Sequence, residues 1–282
     1  MAVVPGPTGP MLLAADAVVA GVHCDLDLVG LDDMGWKALV ANVSDIAAAG
    51  GCPCYALVTV AGPLATLDFD LLYDGLIAAS DAYECPIVGG DLSSSVTLVV
   101  SVAMVGEGRD LPQPPVLRSG ARPGDTIFVT GPLGSSAAGL ELLRTSRVSE
   151  APDLVLAHRR PRARLDEGTA ARVAGATAMI DVSDGLAADL RHIADESGVG
   201  VVLDRVPVAI GVSRVSDDPE AMALGGGEDY ELLFTAGDPD LVEATFAARG
   251  LGTPLRIGRC TAEVAERRLR HADLPVMGWE HR

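Results

Sequence analysis

Lysine is almost missing from this chain. Of its 21 basic residues only Lys37 is a lysine, and the other basic residues are arginines. A phosphate-binding P-loop needs a lysine after its glycine turn. Lys37 follows Trp36 instead, so that kind of nucleotide site is excluded, and the motif set of protein kinases is absent too. Aromatic residues are only 4% of the chain although 49% is hydrophobic, so the core must be built mostly of Ala, Val and Leu. No span approaches about eighteen uninterrupted apolar residues, which predicts no transmembrane helix and no membrane partner. The leading Met1-Ala2-Val3-Val4-Pro5 lacks the basic start of a signal peptide. The five cysteines are odd in number and contain no C-x-x-C pair, so reduced thiols in a cytoplasmic protein are expected.

Acids, by contrast, are abundant and unevenly placed. The net charge is −18. Residues 1–108 hold thirteen acids against the single base Lys37, whereas residues 109–282 hold twenty-six against twenty arginines. Such a surface repels phosphate backbones and excludes nucleic acid as a natural partner. It also raises the question of which carboxylates meet cations.

The 32 glycines and 18 prolines imply many tight connections, and strand and helix patterns alternate twice over. The expected class is α/β, or mixed α+β, in two parts. A Gly-, Pro- and polar-rich stretch from Glu107 to Pro115 places the boundary, giving domains of 1–110 and 111–282. In the first, Met11–Ala20, Tyr55–Ala61, Pro86–Asp91 and Val96–Val105 read as strands. A helix capped by Asp32 or Asp33 should run to Ala49, with Trp36, Leu39, Val40, Val43 and Ala47 on one apolar face and Lys37, Asn42, Ser44 and Asp45 away from it. Another should run from Asp68 to Tyr83, with Phe69, Leu72, Leu76 and Ile77 buried. In the second, Ala178–Asp181 reads as a strand, and Asp184 as the N-cap of a helix from Leu186 to Ser197.

Five carboxylates share a setting. Asp16, Asp45, Asp91, Asp181 and Asp184 each lie at or near a strand end, or on a small-residue helix, beside Gly, Ser or Ala. If several converge they repel, by about 4 kcal/mol for two unit charges 4 Å apart at an effective dielectric near 20. One must then be protonated, or a cation must sit among them. Magnesium suits such oxygens and joins carboxylates to substrate phosphates, which points to phosphoryl transfer. With no P-loop, the nucleotide would have to be held by metals, glycine backbone and arginine, Arg118 being one candidate.

Read in order, Asp16-(x)6-His23, Gly35-Trp36-Lys37-Ala38-Leu39, Asn42-Val43-Ser44-Asp45, Gly89-Gly90-Asp91, Arg118-Ser119-Gly120-Ala121-Arg122-Pro123-Gly124-Asp125, Asp181-Val182-Ser183-Asp184-Gly185 and Gly226-Gly227-Glu228-Asp229-Tyr230-Glu231-Leu232 resemble the thiamine-monophosphate kinase family. That family lies within the aminoimidazole-ribonucleotide synthetase-like superfamily. The resemblance runs nearly end to end. It implies a two-domain fold and a homodimer whose N-terminal domains join their sheets. It implies Mg2+- and ATP-dependent phosphorylation of thiamine monophosphate by in-line transfer, with no protein nucleophile. By position it makes Asp16, Asp45, Asp91, Asp181 and Asp184 metal ligands. Gly90, Asp91, Arg118 and Ser183 would contact ATP, and His23, Glu228 and Trp279 would hold the thiamine substrate.

Two departures stand out. The family carries a Gly-Asp-Asp segment before the stretch matching Ala2-Val3-Val4, and this sequence begins after it. The family also tends to have Ser-Thr where Ala14-Ala15 stand. Fewer oxygens should weaken metal binding. That leaves room for a related kinase or synthetase acting on another small phosphorylated substrate, or for a weakened nucleotide-binding homologue.

Overall fold

The computed structural model describes residues 2–7, 9–108, 111 and 113–279. They divide into two compact units, Met1–Ile46 with Gly51–Asp110, and Ala47–Gly50 with Leu111–Arg282.

In the first unit, alternating small and β-branched residues make strands. The elements are β1 (Met11–Val19), α1 (Leu31–Ala48), β2 (Cys52–Gly62), α2 (Phe69–Ala82), β3 (Ile87–Ser94) and β4 (Val99–Glu107). They form a four-stranded sheet in the order β1-β4-β2-β3. Only β2 and β3 pair in parallel. On one face Val58, Val60, Val100, Val102 and Met104 are buried, as are Leu39, Val40, Val43 and Ile46 of α1. The other face leaves Leu13 at 69% and Leu57 at 46% exposed.

Three expectations about these helices need correction. Ile77 and Phe69 are not part of the buried stripe of α2; Ile77 is exposed and Phe69 half-buried, and the stripe is Leu72, Gly75, Leu76 and Ala79. The cause is a close helix crossing, because a Cβ on Gly75 would lie 1.7 Å from the carbonyl oxygen of Asp32. Asp32 and Asp33 do not precede α1 as its cap either; the helix begins at Leu31 and both acids lie in its first turn. Its polar side is packed, with Lys37, Asn42 and Ser44 all buried. Asn42 is satisfied there: its amide donates to the Ala38 carbonyl, and its Oδ1 accepts the N–H of Asp16, both at 3.1 Å.

The second unit contains β5 (Thr126–Val129), α3 (Ser135–Arg144), α4 (Pro152–Arg159), α5 (Leu165–Val173), β6 (Ala176–Asp181), α6 (Leu186–Ser197), β7 (Gly200–Leu203), α7 (Pro219–Gly225), β8 (Leu232–Ala236), α8 (Pro239–Ala248), β9 (Leu255–Thr261), β10 (Arg267–Leu269) and β11 (Ala272–Asp273). Its seven strands run in the order β11-β10-β7-β9-β5-β8-β6. Alternate residues face opposite ways, so the sheet serves two cores. Ile127, Val129, Ile180, Leu186, Leu190 and Leu233 pack into one. Phe128, Met179, Phe234, Val242 and Phe246 pack into the other, with the Phe128 and Phe234 rings stacked at 5.1 Å. Three of the four phenylalanines are therefore spent on one face of this sheet.

Candidate active site

In the first unit the sheet register fixes where the acids lie. Asp16 of β1 pairs with Val102 of β4, Val102 with Val58 of β2, and Val58 with Gly90 of β3. Asp16 and the Gly90-Asp91 pair thus stand on opposite edges, three strand spacings or about 14 Å apart. One sheet does not bring them together. Asp16 is instead near α1 through its bond to Asn42, and Asp45, half-buried, lies one helical turn further along. His23 sits in the turn after β1, its Nδ1 accepting the N–H of Val19 at 3.1 Å. Gly90 passes so close to β2 that a Cβ would meet the Val58 carbonyl oxygen at 1.7 Å. A cavity of ≈ 540 Å³ runs along this edge, lined by Tyr73, Gly89, Gly90 and Asp91 among others. Asp91 is exposed beside it and accepts the Ser93 hydroxyl at 2.9 Å.

In the second unit five of the expected residues do converge. Strand β6 ends on Asp181, which is 3% exposed. Residues 182–184 then run beside the loop that follows α7. Glu228 donates its N–H to Ser183 (2.8 Å), Tyr230 to Val182 (2.9 Å), and Val182 in turn to Glu231 (2.7 Å). The N–H of Trp279 reaches the Asp184 carbonyl at 3.0 Å. Asp181, Ser183, Asp184, Glu228 and Trp279 are therefore neighbours. Glycine makes this possible, because a Cβ on Gly227 would lie 2.4 Å from the Ser183 carbonyl oxygen. Glu228 and Tyr230 both take left-handed backbone at φ 63° and 50°, an uncommon state for side-chain-bearing residues. Arg118 lies apart on an exposed segment beside the free edge of β6, where Met179 donates its N–H to the Leu117 carbonyl at 2.9 Å.

Asp184 does not cap α6. Gly185 holds the cap position, and Asp189, one turn inside the helix, reaches back to accept the N–H groups of Asp184 (3.1 Å) and Gly185 (3.0 Å). Asp189 thus does the capping, and the Asp184 carboxylate can serve something else. Asp184, Asp189 and His192 place one ligand atom each within 4.8 Å of one another. The sequence reading missed Asp189 and His192. Their signal is an acid and a histidine three apart on one helix face, directly after the Asp-x-Ser-Asp-Gly segment.

The charge on this group is in surplus. Burial, then the charges of Asp181 and Asp184, push the Asp189 carboxyl up from 3.8 to about 8. A cation would relieve that repulsion, so the residues present fit a divalent metal. The other acids nearby are already occupied. Asp229 accepts the N–H groups of Gly134 (2.6 Å) and Ser136 (3.0 Å) and so caps α3, while burial raises its carboxyl to about 6. Glu231 accepts the Thr130 hydroxyl at 2.5 Å and pairs with Arg164. Glu228 keeps a more exposed side chain than Glu231, at 28% against 6%.

Comparison with known proteins defines the class first. Residues 1–107 match the profile of the AIR synthase related protein N-terminal domain, and residues 122–269 that of its C-terminal domain. The thiamine-monophosphate kinase of Aquifex aeolicus is 39% identical over 236 residues, covering 80% of this chain and 75% of that protein. That of Salmonella typhimurium is 37% identical, covering 96% and 86%. The solved structure of AaThiL complexed with AMPPCP and TMP superposes with a TM-score of 0.84 at 34% identity, covering 96% of this chain and 87% of that one. The chain is an AIR synthase related protein in both of its halves. Within that class it belongs to the thiamine-monophosphate kinase family, and it is a kinase.

Proposed function

We infer that the protein transfers the γ-phosphoryl group of ATP to thiamine monophosphate, giving thiamine diphosphate. The observation that carries this is the convergence of Asp181, Ser183, Asp184, Glu228 and Trp279 in a chain whose relatives bear that activity in their names. Asp181 and Asp184 of the second unit, and Asp16, Asp45 and Asp91 of the first, are assigned to hold Mg2+. When bound, the metal neutralises charge on phosphate oxygens. Ser183, Arg118 and the Gly90-Asp91 edge, with the cavity beside it, are assigned to ATP. Glu228 and Trp279 suit a cationic heterocycle, the one by charge and the other by its ring face; His23 is assigned to the same substrate. The acceptor phosphate oxygen attacks directly. With γ-labelled ATP, label should therefore pass to thiamine diphosphate and never reside on the protein. Acid-stable label on the chain during turnover would contradict direct transfer.

We also place the protein in the cytoplasm as a homodimer. Its described cysteines form no disulfide, and burial pushes the Cys85 and Cys260 thiols up to about 12, which keeps them inert. No helix among the described residues is long and apolar enough to cross a membrane. The uncovered sheet face bearing Leu13 and Leu57 is the surface that a second copy would bury. Leu13→Arg should accordingly sediment as a monomer where the wild type sediments as a dimer. A wild-type monomer at micromolar concentration would overturn this assignment.

A further inference from the structure

Ser136, His158 and Glu228 meet beside the glycine loop, and nothing in the proposed reaction uses the first two. The Nδ1 atom of His158 lies 3.0 Å from the Ser136 hydroxyl oxygen and 3.6 Å from Oε2 of Glu228. The residue types are those of a hydrolytic triad, but the geometry is not. A relay needs the serine and the carboxylate on opposite ring nitrogens, and here both approach the same one. Ser136 is also 1% exposed, so no substrate carbonyl reaches it.

The arrangement has a different consequence. Ser136 is hydrogen-bonded to Nδ1 of His158, and the Glu228 carboxylate lies just beyond it at ion-pair distance, so the imidazole sits directly against the carboxylate. His158 cannot readily turn away. It is 4% exposed in the last turn of α4, and α4 lies tight on α3, where a Cβ on Gly139 would be 2.0 Å from the Leu154 carbonyl oxygen and 3.0 Å from the Cβ of His158. Glu228 is meanwhile fixed at its backbone by the N–H bond to Ser183 and by its left-handed conformation. The Glu228 backbone is therefore fixed by its own hydrogen bond, and its carboxylate lies 3.6 Å from an imidazole that is itself held in place.

We propose that His158, with Ser136, is a positioning residue that aims the Glu228 carboxylate at the cationic part of the substrate. The inference rests on Glu228 being a substrate contact. Rigid support of this kind is what gives a binding group its orientation, and its loss should appear in substrate affinity rather than in chemistry.

Steady-state kinetics with thiamine monophosphate and ATP varied separately test it. Glu228→Gln and His158→Ala should each raise KM for thiamine monophosphate about 10-fold, with kcat and the KM for ATP within about 2-fold of wild type. In the Glu228→Gln background, His158→Ala should add nothing further, because its effect passes through that carboxylate. His158→Asn preserves most of the packing and a donor; it should recover part of the affinity, and it carries the test if the alanine variant does not fold. Equal factors in both backgrounds, or equal rises in both KM values, would reduce His158 to a packing residue and overturn the proposal. So would unchanged affinity in both His158 variants when Glu228→Gln is impaired. Unchanged affinity in Glu228→Gln would instead remove Glu228 as a substrate contact, and the inference with it. Absence of wild-type turnover of thiamine monophosphate is a separate failure, that of the proposed function.

Discussion

Asp181→Asn is expected to lower kcat by about 100- to 1000-fold while shifting Tm by less than about 4 °C. Asp181 is buried at the end of β6, and its charge helps push Asp189 far above the ordinary carboxylate range. In a fold optimised only for stability, acids crowded in this way would be a cost. Removing one charge relieves repulsion, so the fold should tolerate the amide. The reaction should not, because a neutral oxygen binds a divalent ion far less strongly and the ATP phosphates lose their counter-charge. The check is kcat at saturating ATP and magnesium, together with Tm in chelator. Loss of activity matched by a Tm drop of ten degrees or so would show Asp181 holding the fold rather than the metal. Wild-type turnover with unchanged magnesium dependence would remove the metal assignment altogether.

Gly185→Ala should damage both the fold and the site. Gly185 has φ 117°, a conformation that side-chain-bearing residues avoid, and its missing Cβ would stand 2.9 Å from the carbonyl carbon of Gly225. Both obstacles involve backbone, so neither can relax by turning a rotamer. Left-handed strain and overpacking together should cost about 2–5 kcal/mol. Relief would push the loop after α7 away from residues 183–184, displacing Glu228 from Ser183. Thermal unfolding should show the loss, and residual folded protein should bind thiamine monophosphate poorly. Wild-type Tm and affinity in Gly185→Ala would mean that the contact between these two loops is looser than the structure describes.

Much of the fold was legible because its signals are local. The valine alternation of β2 and β4, the helix α2 after Asp68 and the helix α6 from Leu186 are each fixed by a few neighbouring residues. Elements defined by distant partners were missed. Helix α4 is short, and its packing depends on Gly139 of α3. The burial of Gly75 in place of Ile77 depends on α1 passing within reach. At the site, the Asp-x-Ser-Asp-Gly segment announced its two acids, but capping was credited to Asp184, since an acid just before a helix is the commoner cap. Asp189 could not be recognised as the cap from spacing alone; an acid five residues on normally faces away. The separation of Asp16 from Asp91 was also hidden, because it follows from strand order, which places β1 and β3 at opposite edges although β2 and β4 lie between.

We propose that this arrangement of acids, glycines and Glu228 performs magnesium-dependent phosphorylation of thiamine monophosphate. The most direct measurement is thiamine diphosphate formed from thiamine monophosphate and ATP by the purified chain, followed across a magnesium titration. The account predicts product that rises with magnesium, vanishes in chelator and is nearly abolished by Asp181→Asn. No thiamine diphosphate at any magnesium concentration, or equal product with and without the metal, would contradict it.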